Sequence, residues 1–106
     1  MDDLDSLGLH AAVLAAGAST RFGSPKQLVR LGGSPVLHQA AATAASIAGP
    51  SVAVVLGAFA KEIAPALRQS AASIVLNRDW EEGLASTVRV AVRTAPPRCA
   101  GLLLLL

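Results

Sequence analysis

Ten consecutive positions, Gly17-Ala18-Ser19-Thr20-Arg21-Phe22-Gly23-Ser24-Pro25-Lys26, gather two glycines, three hydroxyl side chains and two cations. Glycine lets backbone amides come close to an oxyanion, the hydroxyls of Ser19 and Thr20 donate hydrogen bonds, and Arg21 and Lys26 supply fixed positive charge. That combination suits a triphosphate or a departing pyrophosphate, where charge develops on oxygen. The spacing matches neither common phosphate fingerprint. Gly17-Ala18-Ser19-Thr20-Arg21 is not GxGxxG, and Lys26 follows Gly23 by three residues with no Ser or Thr behind it. For the glycines alone, a tight turn without ligand is the competing explanation.

Other residue types with chemical potential read as structural. Ser86 and Thr87 come just after Gly83, where hydroxyl side chains cap helices, a role compatible with ligand contact. Asp79, Glu81 and Glu82 read as a solvated loop face, and Trp80 as a packing residue. His10 and His38 have no second His or Cys at ligand spacing, so no histidine metal site is expected. Asp2, Asp3 and Asp5 belong to a leader, residues 1–8, without sustained periodicity, which is no frame for a metal or a catalytic pair.

The elements that must position these residues follow from punctuation and period. Residues 10–15 (HAAVLA) form a continuous apolar run closed by Gly17, the pattern of a strand covered on both faces. Residues 27–31 read as a short extended piece broken by Gly32-Gly33. A helix follows, with Ser34 as cap, Pro35 at its first position and Gly49-Pro50 as its stop. SVAVVL at 51–56 is a second buried strand and 60–69 a second helix, into which Pro65 fits poorly. SIVL at 73–76 is a third strand, 84–94 a third helix ended by Pro96-Pro97, and 102–106 a fourth strand. Strand and helix alternating in this way predict an α/β fold, a Rossmann-like parallel sheet of about four strands in a three-layer α/β/α arrangement over residues 9–106. Ligands of such sheets bind beyond the carboxyl ends of the strands, where residues 17–26 fall. A buried strand normally leads into a polar loop and a covering helix, so the expectation is a longer protein cut after the fourth strand.

Composition agrees and excludes alternatives. With 106 residues and 53% hydrophobic content the chain supplies one domain with a real core, and 15% charged with 3% aromatic residues leaves mostly Ala, Val and Leu to build it. The net charge of +2 comes from scattered cations, which excludes a nucleic-acid face. Cys99 stands alone, so neither an intrachain disulfide nor a cysteine zinc site can form. The acidic N-terminus lacks the basic start of a secretory signal, and no apolar run approaches the roughly 18 residues of a membrane span. A cytoplasmic protein with no membrane partner is expected.

The run Leu14-Ala15-Ala16-Gly17 through Arg21-Phe22-Gly23-Ser24-Pro25-Lys26-Gln27-Leu28 resembles the opening signature of MobA-like nucleotidyltransferases, closest to the molybdenum cofactor cytidylyltransferases. Asn77-Arg78-Asp79-Trp80-Glu81-Glu82-Gly83-Leu84-Ala85-Ser86-Thr87 is similar to that subgroup's N-x-x-W-x-x-G-x-x-S-S motif, and Gly32-Gly33-Ser34-Pro35-Val36-Leu37 to the family's turn into its first long helix. The resemblance runs from about residue 10 to the last residue. It implies transfer of a nucleotide from CTP to a molybdopterin-type phosphate acceptor, with Mg²⁺ required and pyrophosphate released. Leu14, Ala15, Ala16 and Gly17, joined by Ser19, would contact the nucleotide. Arg21 and Lys26 would act catalytically on the triphosphate, and Gly83, Ser86 and Thr87 would line the pocket beside the base. Thr87 departs from the usual second Ser, and the metal-binding Asp expected after the fourth strand is not in the sequence, which makes the 106-residue chain a poorly active fragment in this reading. Alternatives are a related transferase using GTP or a sugar or polyol phosphate, for which Pro25-Lys26-Gln27 also resembles the methylerythritol phosphate cytidylyltransferases, and a non-catalytic nucleotide-binding or interaction module. An uncovered fourth strand also implies self-association.

Overall fold

Continuous apolar runs become the strands of one parallel sheet in the computed structural model, which describes residues 8–21, 23–68 and 70–106, without the side chains of Arg21 and Leu31. Apart from Gly8, the leader expected at residues 1–8 lies outside the described residues. The strands are β1 (Leu9–Ala15), β2 (Val52–Leu56), β3 (Ser73–Leu76) and β4 (Gly101–Leu105), and they lie side by side in the order β3-β2-β1-β4. Pairing is parallel throughout, with Val13 opposite Val54 on one side and Leu105 on the other, and Val55 opposite Val75.

Strand periodicity sorts β1 onto two covered faces. Ala11, Val13 and Ala15 join Val52, Val54 and Leu56 beneath helix α1 (Val36–Ala48), whose Leu37, Ala41, Ala44 and Ala48 are buried against them. Small side chains on that helix let it lie close to the sheet, which is where the alanine-rich composition goes. On the opposite face Ala12 and Val55 are covered by Ala91 of helix α3 (Leu84–Thr94), with Leu14, Val75, Val90 and Leu102 packed around them. The result is the expected three-layer α/β/α fold.

Three local differences have physical causes. The second helix is one α turn, α2 (Ala60–Ile63), continued by a 3₁₀ segment, Ala64–Leu67, because Pro65 has no N–H to donate back along an α-helix. Ser34 does not cap α1. It pairs with Leu31 across a two-residue antiparallel ladder, turned by Gly32 and Gly33 with φ of 62° and 90°, and Pro35 takes the capping position without a side-chain bond. Residues 17–26 are not irregular throughout, since Thr20–Arg21 pairs with Ser24–Pro25 as a small hairpin.

Candidate functional site

The chain progresses from β1 to β2 to β3, then crosses back to lay β4 on the other side of β1. This reversal makes the carboxyl end of β1 the place where an open α/β sheet binds ligands. Residues 17–26 leave the sheet there.

Each feature of that loop has a visible cause. Gly23 has φ +78°, as a hairpin turn requires. The Lys26 amide closes the hairpin base on the Ser19 carbonyl at 2.9 Å. Lys26 then opens a 3₁₀ turn, Lys26–Leu28, from which the Gln27 carboxamide reaches back to donate from Nε2 to the carbonyls of Ala15 and Gly17 at 2.9 and 3.1 Å. Lys26 is exposed and has no ion-pair partner among the described residues. Arg21 stands opposite Ser24 in the ladder, and its side chain lies outside the described residues. Ser19 is exposed beside the hairpin base, while Leu14 is half-buried and Ala15 and Ala16 are buried at the end of β1.

Gly17 needs neither a positive φ nor a close approach, since a Cβ there meets nothing within 4 Å among the described residues. What this glycine provides is open space over the end of β1. Gly57, directly after β2, is the opposite case. A Cβ on it would fall 2.7 Å from the Trp80 Cβ and 2.9 Å from both the Cβ and the carbonyl oxygen of Ala16. The loops after β1, β2 and β3 therefore meet at Gly57, fastened by the Ala58 amide on the Ala16 carbonyl and the Asn77 amide on the Leu56 carbonyl. The sequence marked Gly57 as a turn and left this junction unseen.

The second motif is closed on itself. Asn77, buried at the end of β3, donates from Nδ2 to Ser86 Oγ at 2.9 Å and Thr87 Oγ1 at 3.0 Å, and its Oδ1 accepts the Asp79 amide. Ser86 shares its proton between the carbonyls of Gly83 and Asp79 at 2.8 and 3.0 Å. Both hydroxyls are thus buried tethers, and α3 begins at Gly83, φ 101°, without a side-chain cap. Its first turn holds no acidic residue, and within it the Ser86 amide bonds the Gly83 carbonyl at 3.1 Å. Trp80 is half-buried and packs on Gly57, whereas Asp79, Glu81 and Glu82 are exposed, Glu82 in an ion pair with Arg89 at 3.3 Å.

Among the described residues no three His, Cys, Asp or Glu side chains come together. The histidines are elsewhere. His10 is buried at the amino end of β1, with Nδ1 2.6 Å from Ser51 Oγ and Nε2 without a partner among the described residues, and burial pushes its pKa below the ordinary imidazole value against the opposing effect of a hydrogen bond with Ser51. His38, exposed in the first turn of α1, borders an apolar recess also lined by Ala41, Ala45, Pro50, Val52 and Ala72. Among the described residues no helix is long and apolar enough to cross a membrane.

The strand order, with its reversal beside β1, defines an open parallel-sheet α/β domain. Residues 11–106 match the model of the MobA-like NTP transferase domain, and the chain belongs to that nucleotidyltransferase family. It is 34% identical over 88 residues to nicotine blue oxidoreductase of Paenarthrobacter nicotinovorans, an alignment covering 82% of this chain and 43% of the relative. The crystal structure of Rv0371c from Mycobacterium tuberculosis H37Rv is similar at a TM-score of 0.73 and 31% identity, over 92% of this chain and 50% of that one. The chain therefore spans about half the length of the relatives it matches.

Proposed function

We propose that this domain binds a nucleoside triphosphate, CTP in preference to GTP, at the carboxyl edge of its sheet and serves nucleotide transfer to a molybdopterin-type or related phosphate acceptor. The observation that carries the reading is the open space above Gly17, flanked by a braced loop bearing the unpaired Lys26. In the reaction an acceptor phosphate oxygen attacks the α-phosphorus, the bond to the bridging α–β oxygen breaks, and pyrophosphate leaves. Arg21 and Lys26 hold the triphosphate and offset the negative charge on the departing group. Leu14, Ala15, Ala16, Gly17 and Ser19 contact the nucleotide. Gly83, Ser86 and Thr87 shape the pocket beside the base through backbone and volume, the two hydroxyls being engaged by Asn77. Mg²⁺ belongs to the complete reaction in this reading, where it would offset charge on the triphosphate. The cytoplasm, where nucleoside triphosphates are abundant, is the compartment this reading implies.

Calorimetric titration of the folded chain with CTP and GTP is the test. Binding of CTP at about millimolar or tighter, roughly −4 kcal/mol or better, is expected. Absence of heat with either nucleotide removes the assignment.

A second reading is favoured by the relative named as an oxidoreductase. A sheet edge suited to pyrophosphate also suits a dinucleotide. NADH or NADPH binding with CTP excluded would decide for it.

Self-association through β4 is a further part of the proposal, because Leu103 and Leu104 are each 38% exposed on a strand with no charge to block pairing. Sedimentation over a concentration series is expected to give a growing oligomer fraction. A monomer at every concentration would exclude it.

A further inference from the structure

The side chain of Gln27 is oriented by its donors at the expense of its acceptor. Nε2 donates to two carbonyls of the β1 loop, Ala15 at 2.9 Å and Gly17 at 3.1 Å, while Oε1 is buried with no partner among the described residues. A glutamine recruited only to fill space has no reason to strand a buried acceptor, because an apolar side chain of the same length would fill it without that penalty. The two carbonyls belong to alternate peptide groups at the root of the loop. In a trans peptide the C=O and the following N–H point in opposite directions. Drawing the carbonyls of Ala15 and Gly17 toward Gln27 therefore turns the amides of Ala16 and Ala18 away from it, and neither amide has an acceptor among the described residues. The clamp spans the position where Gly17 leaves open space.

We propose that Gln27 is a positioning residue for nucleotide binding: its carboxamide sets the orientation of the peptide groups between Ala15 and Ala18, so that two backbone donors are already aligned when an anion arrives. This rests on the nucleotide-binding reading above and adds to it a residue that contacts the loop and not the reacting atoms. Preorganised donors strengthen binding because the ordering cost is met before the ligand comes. The same clamp braces the hairpin base, since Gln27 follows Lys26 directly and the Lys26 amide closes on Ser19.

Three substitutions separate positioning from space filling. Gln27→Met keeps the length and removes both donors. Gln27→Glu is nearly isosteric and sets a carboxylate against two carbonyl oxygens. Gln27→Lys restores a group able to donate to both. Two readouts are taken on each protein after its melting temperature has established that it folds: the affinity for CTP by calorimetry, and hydrogen exchange of the Lys26 amide without nucleotide. The expected result is that Gln27→Met and Gln27→Glu weaken CTP binding roughly tenfold to a hundredfold and speed Lys26 exchange, Gln27→Glu the more, while Gln27→Lys stays near wild type in both. Acidification to the point where the carboxyl introduced by Gln27→Glu protonates restores part of the affinity relative to wild type at the same pH, because a protonated carboxyl can donate again. Gln27→Met and Gln27→Glu proteins with wild-type affinity and exchange overturn the proposal. A wild-type protein that binds no nucleotide overturns the parent reading instead, and the exchange data then show whether Gln27 holds the loop at all.

Discussion

The loop after β1 and the loop after β3 leave the same edge of the same sheet, yet they are anchored differently. The β3 loop is pinned from inside by Asn77, which forms a buried hydrogen-bonded knot with Ser86 and Thr87 of α3 while Asp79, Glu81 and Glu82 stay exposed. The β1 loop is fastened at its root by Gln27 and the Lys26 amide, and it leaves Ser19 and Lys26 exposed. Buried polar networks rigidify when fully satisfied, and exposed donors stay available to a ligand. One loop is thus a fixed wall, and the other keeps its polar side chains at the surface. Gly57 joins them, because only a residue without Cβ lets Trp80 and Ala16 close on the same point.

The largest effect is expected from breaking the wall. Asn77→Ala removes the donor to two buried hydroxyls, and buried groups left unpaired cost about 1–3 kcal/mol each. A loss of about 3 kcal/mol is expected, read as a fall in Tm of roughly 10 °C or more. A variant that melts with the wild type would mean that Ser86 and Thr87 find other partners readily, and the contrast between the loops would disappear.

Next in size is the effect of changes in the β1 loop. Lys26→Ala and Arg21→Ala are expected to reduce CTP affinity roughly tenfold or more each, the range of a charge-assisted contact, with Tm within about 2 °C of wild type. Exposed Lys26 supports no described side-chain contact, so stability and binding separate cleanly there. If Tm falls while affinity is kept, Lys26 belongs to the framework instead.

How much of this was legible in the sequence follows from range. Apolar runs such as VAVVL and the Gly49 stop are local signals, and they placed the four strands and α1 within a residue or two. The membership of residues 17–26 and 77–87 in one edge followed from strand alternation plus resemblance. What escaped depends on partners distant in sequence: Asn77 tying down Ser86 and Thr87, Gln27 reaching back ten and twelve residues, and Gly57 wedged between Ala16 and Trp80. A lone Gln or Gly carries no periodicity, and its role appears only when the fold supplies its neighbours. The capping expected of Ser34 failed for a related reason, since the ladder with Leu31 claims its backbone first.

The smallest effect tests whether the two loops are insulated from the opposite edge of the sheet. His10 sits at the amino end of β1, buried, with Nε2 unpaired among the described residues. Desolvation lowers its pKa in the folded protein below the ordinary 6.5, with the Ser51 contact acting in the opposite sense. The unfolded chain therefore binds the proton more readily, and stability rises with pH across the interval between the two values. The full contribution of neutral His10 is present above about pH 6.5 and is lost as pH falls through 6.5 toward the folded value, because a charged imidazole would carry a buried N–H with nothing to accept it. Tm measured at steps from about pH 8 to pH 5 should decline in the wild type, and His10→Gln should flatten part of that decline. Lys26 amide exchange should follow global stability and show no separate transition, since His10 and the β1 loop are at opposite ends of the same strand. A local change in the loop near pH 6 with the fold intact would mean that the two edges communicate along β1.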